Sequence, residues 1–219
     1  MASNDPQFEE KTADFIGLCL NPPQHATVFC VDEKTAIQAS DRLDPVLPMP
    51  PGRAERRGFE YYRRGTQSLY AALDVKTGEV HGWAAYCAAV HRVPDGLVER
   101  AESAKEILVV LNNLSAHKTK EVERSLPERP QVRFHFTPNY SSWLNQVELW
   151  FATIQRDVIA RGIFTSVADL GNKLRKYIRA YLKSAKPLRW TYTDPTRRIR
   201  ANKIAGSIFI FSVDHNRSV

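Results

Sequence analysis

Two rhythms of apolar residues run along the chain. Residues 27–32, Thr-Val-Phe-Cys-Val-Asp, form a nearly continuous apolar run closed by a carboxylate, and residues 107–111, Ile-Leu-Val-Val-Leu, form a second one closed by Asn112-Asn113. Short, almost wholly apolar runs bounded by polar residues predict strands buried on both faces. Between them, residues 66–75 (TQSLYAALDV) and 80–87 (VHGWAAYC) flank Lys76-Thr77-Gly78-Glu79 and read as a hairpin. Val132 to Phe136 alternates as a strand, and Thr137-Pro138 closes it.

The second rhythm is helical. Residues 7–20 predict a short amphipathic helix stopped by Pro22-Pro23, and residues 93–106 and 118–126 predict two more, the latter ended near Pro127. Trp143, Val147, Trp150, Phe151, Ile154 and Val158 recur at helical spacing, with Ser141 or Ser142 as the N-cap. Ser166-x-x-Asp169 has the form of a capping box. Behind it Val167, Leu170, Leu174, Tyr177, Ile178 and Tyr181 make an apolar stripe, leaving Lys173, Arg175, Lys176, Arg179 and Lys183 on the other faces. Four prolines in residues 44–53 predict an extended loop. The order of strand, hairpin, strand, helix, strand, helix, helix suits a mixed α/β sheet, whose ligands sit at strand ends.

Length and composition change this picture little: 219 residues with 43% hydrophobic content suffice for one sizeable domain. No run approaches the roughly eighteen apolar residues of a membrane span, and the polar, acidic start MASNDPQFEEKTADF has no signal-peptide pattern. Cys19, Cys30 and Cys87 are odd in number and scattered without a C-x-x-C pair, which argues against zinc and for thiols in a reducing cytoplasm. Charge says more. The net charge is +7, yet Phe151 to Lys203 alone carries thirteen Lys or Arg against three Asp, so the remainder of the chain is net negative. A basic half of this kind predicts a polyanionic partner.

Three positions carry candidate chemistry. Asp32 and Asn112 end the two buried strands. Counting 100° per residue from Trp143, the apolar stripe of its helix centres near 40° and Glu148 falls near 140°, at the border of the buried face. A lone strand-end Asp or Asn is ordinarily a turn residue and a border Glu ordinarily a solvated charge. The surrounding motifs alter that weighting. Val31-Asp32-Glu33-Lys34, the Pro-rich stretch from Asp41-Arg42 to Gly52-Arg53 with Arg56-Arg57, and Gly65-Thr66 through Ala71-Ala72-Leu73-Asp74 to Thr77-Gly78 follow in order. After them come Asn112-Asn113-Leu114-Ser115-Ala116-His117-Lys118-Thr119, then Phe136-Thr137-Pro138, then Ser141-Ser142-Trp143-Leu144-Asn145-Gln146-Val147-Glu148-Leu149-Trp150-Phe151. This series, from about residue 5 to about residue 205, resembles DDE-type DNA transposases of the bacterial insertion-sequence branch of the Tc/mariner-like superfamily. Thirty-five residues separate Asn112 from Glu148, close to that family's gap between its second and third acids.

The resemblance implies an RNase H-like mixed β-sheet flanked by helices. It implies catalytic and metal-binding roles for Asp32, Asn112 and Glu148, around two Mg²⁺ (or Mn²⁺) ions about 4 Å apart that serve DNA cleavage and strand transfer. It further implies double-stranded DNA as partner, a homodimer when active, and a bacterial cytoplasmic, nucleoid-associated location. DNA-binding candidates are Arg53, Arg56, Arg57, Arg63 and Arg64, beside Phe59, Tyr61 and Tyr62, together with Lys173, Arg175, Lys176 and Arg179. The expected division is a helix remnant over residues 1–25, the catalytic domain over 26–186 and a basic tail over 187–219.

The chain departs from the family at Asn112, where an acid is expected; Asn keeps a carbonyl oxygen and loses the charge. The stretch between Cys87 and Ile107 is short for the family, the helix-turn-helix of full-length relatives is absent, and the tail containing Ser207-Ile208-Phe209-Ile210-Phe211 matches nothing in it. A truncated or decayed copy with impaired cleavage is the resulting expectation, and a non-catalytic DNA-binding or dimerising remnant is the alternative. His117 reads as a structural histidine and Asp74 as a turn residue.

Overall fold

The computed structural model describes residues 5–42, 61–85, 97, 106–113 and 127–188. Its elements are α1 (Phe8–Leu20), β1 (Ala26–Arg42), β2 (Tyr61–Asp74), β3 (Val80–Ala85), β4 (Glu106–Leu111), β5 (Val132–Phe136), α2 (Val147–Ile154) and α3 (Val167–Leu182). The five strands form one mixed sheet in the order β3-β2-β1-β4-β5. β2 runs antiparallel to both β1 and β3, whereas β4 is parallel to both β1 and β5. The loop at 44–53, the helix at 118–126, most of the helix at 93–106, Cys87, His117, Arg53, Arg56, Arg57 and the tail lie outside the described residues.

Alternation along the strands sorts the core onto two faces. On one face Val28 and Cys30 of β1 and Leu108 and Val110 of β4 pack with Phe15 and Cys19 of α1, Val147, Trp150 and Ile154 of α2, and Leu170, Leu174 and Ile178 of α3. On the other, Phe29 and Val31 meet Ile107, Val109 and Leu111, joined by Val132 and Leu97. Because successive side chains on a strand point to opposite faces, Asp32 and Asn112 continue the series 28, 30 and 108, 110 and are directed toward the helix side.

Two expectations need correction. β1 does not stop at the carboxylate: it runs on to Arg42, paired with β2 down to Tyr61, with irregularities between Lys34 and Ile37 and between Gln38 and Ser40. Past Val31 the strand leaves β4, and past Lys34 it becomes one arm of a two-stranded ribbon with β2; on this arm only Ile37 and Ala39 are buried, and the neighbours Ala36 and Gln38 are exposed. Asp32, Glu33 and Lys34 have the composition of a strand end but stay paired with β2, and the strand bulges just after them, with Ala36 in the left-handed region at φ 52°.

The second correction concerns the helix bearing Glu148. It begins at Val147, not near Trp143: Ser142–Leu144 form a single 3₁₀ turn, Asn145 is extended, and neither serine caps α2. Trp143 is 37% exposed and lies off the buried stripe. Asn145 breaks the helical path because its side chain is bonded to the sheet, as described below. α3, by contrast, is capped as its sequence predicts, with Ser166 Oγ accepting from Asp169 N at 3.0 Å and Asp169 Oδ2 accepting from Thr165 N. Asp74 is a turn residue, its Oδ1 accepting from Lys76 N and Thr77 N. Cys19 and Cys30 are buried free thiols.

Leu174 is fully buried where α3 meets the sheet. Leu174→Ala should lower stability by roughly 2–5 kcal/mol, the usual cost of a core cavity. A fall in the urea midpoint at unchanged slope is the expected result, and a midpoint within error of the parent would show that α3 is not packed as described.

Candidate active site

β1 and β4 pair in parallel up to Val31↔Leu111. The next residue on each strand, Asp32 and Asn112, therefore lies level with the other at the same edge and points to the same face. Both are buried, at 4% and 7% exposure. Asn112 Nδ2 donates to Asp32 Oδ2 at 2.5 Å, and the other carboxylate oxygen accepts from Glu33 N at 2.8 Å. Glu148 is half-buried in the first turn of α2, with its carboxyl group near that of Asp32. The structure thus brings together all three residues singled out in the sequence.

A fourth residue, which helical spacing alone places inside the helix, joins them. Asn145 is 0% exposed. Its Nδ2 donates to the backbone carbonyl of Val31 at 2.9 Å and makes a long 3.5 Å contact to Asn112 Oδ1. Its own backbone carbonyl accepts from Glu148 N at 3.0 Å as α2 begins. An amide between the apolar Trp143-Leu144 and the start of a helix is the signal in the sequence, since a buried amide must find partners.

Electrostatically the site is two carboxyl groups and an amide. Burial first, and then the adjacent Glu148 carboxyl, push Asp32 up to about 7, against the opposing pull of the Glu33 N–H.

The donor set can be compared with the two divalent ions implied by the resemblance. Divalent ions of this kind need anionic oxygens, but position 112 presents an N–H₂ to Asp32. Only Asp32 and Glu148 offer carboxylate oxygens there, and no cluster of three or more His, Cys, Asp or Glu suited to a metal occurs among the described residues. The residues present do not fit a two-ion site.

The DNA-binding candidates fall on two elements. Arg63 and Arg64 are exposed at the start of β2; Arg64 pairs with Asp41 at 3.1 Å and lies over the Tyr62 ring, 5.3 Å from its centroid. On α3, Lys173 bonds Asp169 and the Ile163 carbonyl, and Arg175 bonds Asn172, while Lys176 and Arg179 are exposed. A Cβ built on Gly65 would lie 2.8 Å from Val167, so the ribbon and the start of α3 touch.

A mixed sheet in this order, with polar side chains converging from two adjacent strand ends and a helix, defines an RNase H-like fold of the class that processes nucleic-acid phosphodiesters. The chain belongs to the DDE superfamily endonuclease family, whose model matches residues 27–171. It is 33% identical over 75 residues to the insertion element IS630 uncharacterized 39 kDa protein of Shigella sonnei, a match covering 34% of this chain and 22% of that protein. Its fold is similar to that of Mos1 transposase in a paired-end complex with the left transposon end, with a TM-score of 0.58, 16% identity, and coverage of 85% of this chain and 57% of that one. It is similar also to the Mos1 transposase catalytic domain with raltegravir and Mg, with a TM-score of 0.53, 13% identity, and coverage of 85% and 87%. The chain thus spans well under two thirds of the IS630 protein and of the Mos1 chain in the paired-end complex. Among the described residues no helix is long and apolar enough to cross a membrane.

The raised Asp32 carries a pH dependence whose sign is fixed. Its folded value, about 7, lies above the ordinary 3.8. The folded state therefore holds the extra proton, and the contribution to stability is fully present below about pH 4 and lost as pH rises through 7. In metal-free buffer, urea stability should fall between pH 5 and pH 8 by on the order of 2–4 kcal/mol. Asp32→Asn should remove most of that fall, and parallel pH profiles for the two proteins would contradict the assignment.

Proposed function

We propose that this chain is the strand-cleaving and strand-joining domain of a DNA transposase, with Asp32, Asn112 and Glu148 at its three catalytic positions and cleavage impaired by the amide at 112. The observation that carries the reading is the convergence of those three side chains from the ends of β1 and β4 and the first turn of α2. Family membership supports phosphodiester chemistry, and the Mos1 structures were solved with transposon-end DNA or with Mg. The same reading has the protein act on double-stranded DNA as a homodimer, in the bacterial cytoplasm and on the nucleoid. Residues 26–186 are then the catalytic domain and 187–219 a basic tail.

A divalent cation, Mg²⁺ or Mn²⁺, bound in an intact site of this kind supplies Lewis-acid stabilisation of the attacking and leaving oxygens. In this chain Asn112, one of the three residues that would hold it, presents an N–H donor to Asp32 in place of an anionic oxygen. What remains to its own residues is proton handling: Asp32, titrating near neutrality beside Glu148, can accept a proton from a water or a 3′-hydroxyl placed at its carboxyl. With one fewer anionic ligand to hold a cation, phosphate oxygens approaching two carboxyl groups meet repulsion, and cleavage is slow. The Asn112–Asp32 hydrogen bond also favours a second reading, a domain that keeps the fold and binds DNA ends without cutting them.

Replacing the amide separates the two. Asn112→Asp should restore Mn²⁺-dependent nicking of DNA carrying the cognate transposon end, at least about 10²-fold above the unmodified chain, the scale set by a single group that stabilises the transition state. Glu148→Gln in that background should abolish whatever returns. If the unmodified chain nicks as fast as Asn112→Asp, position 112 is not the second catalytic position; if neither nicks, the DNA-binding reading stands.

DNA affinity provides an independent measurement. Lys176 and Arg179 are exposed on α3. Changing both to Ala should weaken duplex binding and reduce the slope of log affinity against log salt by about one for each phosphate no longer neutralised. Fluorescence anisotropy from about 50 to 200 mM salt reads this. A slope unchanged by the double substitution would remove α3 from the interface.

A further inference from the structure

Seven large apolar side chains are exposed among the described residues, and three of them, Tyr140, Trp143 and Leu149, fall within the ten residues that lead into and include Glu148. Tyr140 is the most open of the seven, at 67% exposure. The loop that presents its ring and that of Trp143 is firmly built. Thr137 N donates to the Leu111 carbonyl at 2.9 Å, Asn113 Nδ2 donates to Asn139 Oδ1 at 2.6 Å, and Leu144 N closes the 3₁₀ turn on the Ser141 carbonyl at 3.0 Å. Ser141 and Leu144 are buried, so the loop is anchored inward while the two rings stand outward. Tyr140 adopts the left-handed region at φ 57°, a conformation unfavourable to a bulky side chain. Strain of this kind, held beside a candidate active site by a well-bonded loop, points to a role for the ring it displays.

Both rings are at the rim of the cluster. Asn139, next to Tyr140, is bonded to the residue that follows Asn112. Asn145, two residues past Trp143 and so within about 7.6 Å of it between Cα atoms, is bonded to the carbonyl that precedes Asp32. The rim is also uncharged in a particular way: from Phe134 to Gln155, between Arg133 and Arg156, the chain has no Lys or Arg. It cannot neutralise phosphates with its own residues, so what it offers a nucleic acid is a flat apolar face for a base. Asp32 and Asn112 are buried behind it. A phosphodiester that reaches them must depart from the regular duplex surface, and the base beside it then loses a stacking neighbour.

We propose that Tyr140 and Trp143 form a stacking subsite for an unpaired base of the DNA strand at the cluster. This rests on the reading of Asp32, Asn112 and Glu148 as the active site of a DNA-processing domain. The rings hold a base, and the basic residues of α3 hold phosphates.

Two probes in metal-free buffer test it: a blunt duplex, and the same duplex with a short unpaired 3′ extension carrying 2-aminopurine at its first unpaired position. The parent should bind the extended probe more tightly and quench its fluorescence. Trp143→Ala should weaken binding of the extended probe about fivefold or more, the scale of one lost base–aromatic stack, and leave the blunt duplex unaffected. The slope of log affinity against log salt should not change, because stacking releases no counter-ions. Trp143→Phe should retain most of the affinity. Tyr140→Asn removes the other ring while suiting the left-handed backbone, so extended-probe affinity should fall with a melting temperature no lower than the parent's. Equal loss on both probes, a changed salt slope or an unquenched aminopurine overturns the subsite. So does unchanged DNA binding with an altered oligomeric state in Trp143→Ala, which would make the rim a protein contact. A lower melting temperature in Tyr140→Asn assigns that ring to packing and overturns its part. Salt-dependent binding of the blunt duplex with no preference for the extension overturns the subsite alone, whereas binding of neither probe overturns the DNA-processing reading with it.

Discussion

The parallel register of β1 against β4 is the constraint on which the site depends. Parallel strands run in the same direction, so their carboxyl ends lie at one edge of the sheet, and the pairing Val31↔Leu111 makes the following residues neighbours. Side-chain alternation then decides the face. A slip of one residue on either strand would send Asp32 or Asn112 to the Phe29 and Val31 side, away from α2. The register is protected against that slip by burial on both faces: Val28 and Cys30 fill one side and Phe29 and Val31 the other, all nearly inaccessible to solvent. The apolar run that reads as a buried strand is thus also the device that aims the carboxylate following it.

Strands and catalytic candidates were legible for that reason. Four or five consecutive apolar residues followed by Asp or Asn give a strand, its end and the identity of the side chain at the edge in a single short reading. The capping box of α3 was legible because Ser166 and Asp169 act locally, through their own backbone neighbours. What escaped was non-local. The extension of β1 to Arg42 is stabilised by β2, a strand that begins only at Tyr61, and it starts with the polar residues that ordinarily end a strand. The break before α2 is likewise imposed from 114 residues away, where the Val31 carbonyl captures the Asn145 side chain. Spacing alone aligned Trp143 with the buried stripe, but periodicity carries no knowledge of a partner on another strand.

A cluster of three acids in a site of this size would repel itself without a counter-ion. Here the chain's own groups serve Asp32: an N–H₂ from Asn112 and the Glu33 N–H reach its two oxygens, and burial beside Glu148 raises it above the ordinary carboxylate range. An amide has nearly the size of a carboxylate and can donate where a carboxylate only accepts. The amide therefore does two things together: it brings no negative charge to the cluster, and it supplies a donor to the buried Asp32.

A backbone carbonyl cannot be reprotonated or flipped, so a side chain bonded to one is held in a fixed direction, whereas contacts made only among carboxyl and amide groups can reverse with pH. The Val31 carbonyl is such an anchor one residue before Asp32, on the strand whose register the whole core enforces, and it accepts from Asn145 Nδ2. Asn145 in turn receives Glu148 N on its own backbone carbonyl as α2 begins. The packing that aims Asp32 therefore also fixes where the helix carrying Glu148 can start, so strand register and helix start are set by one buried contact.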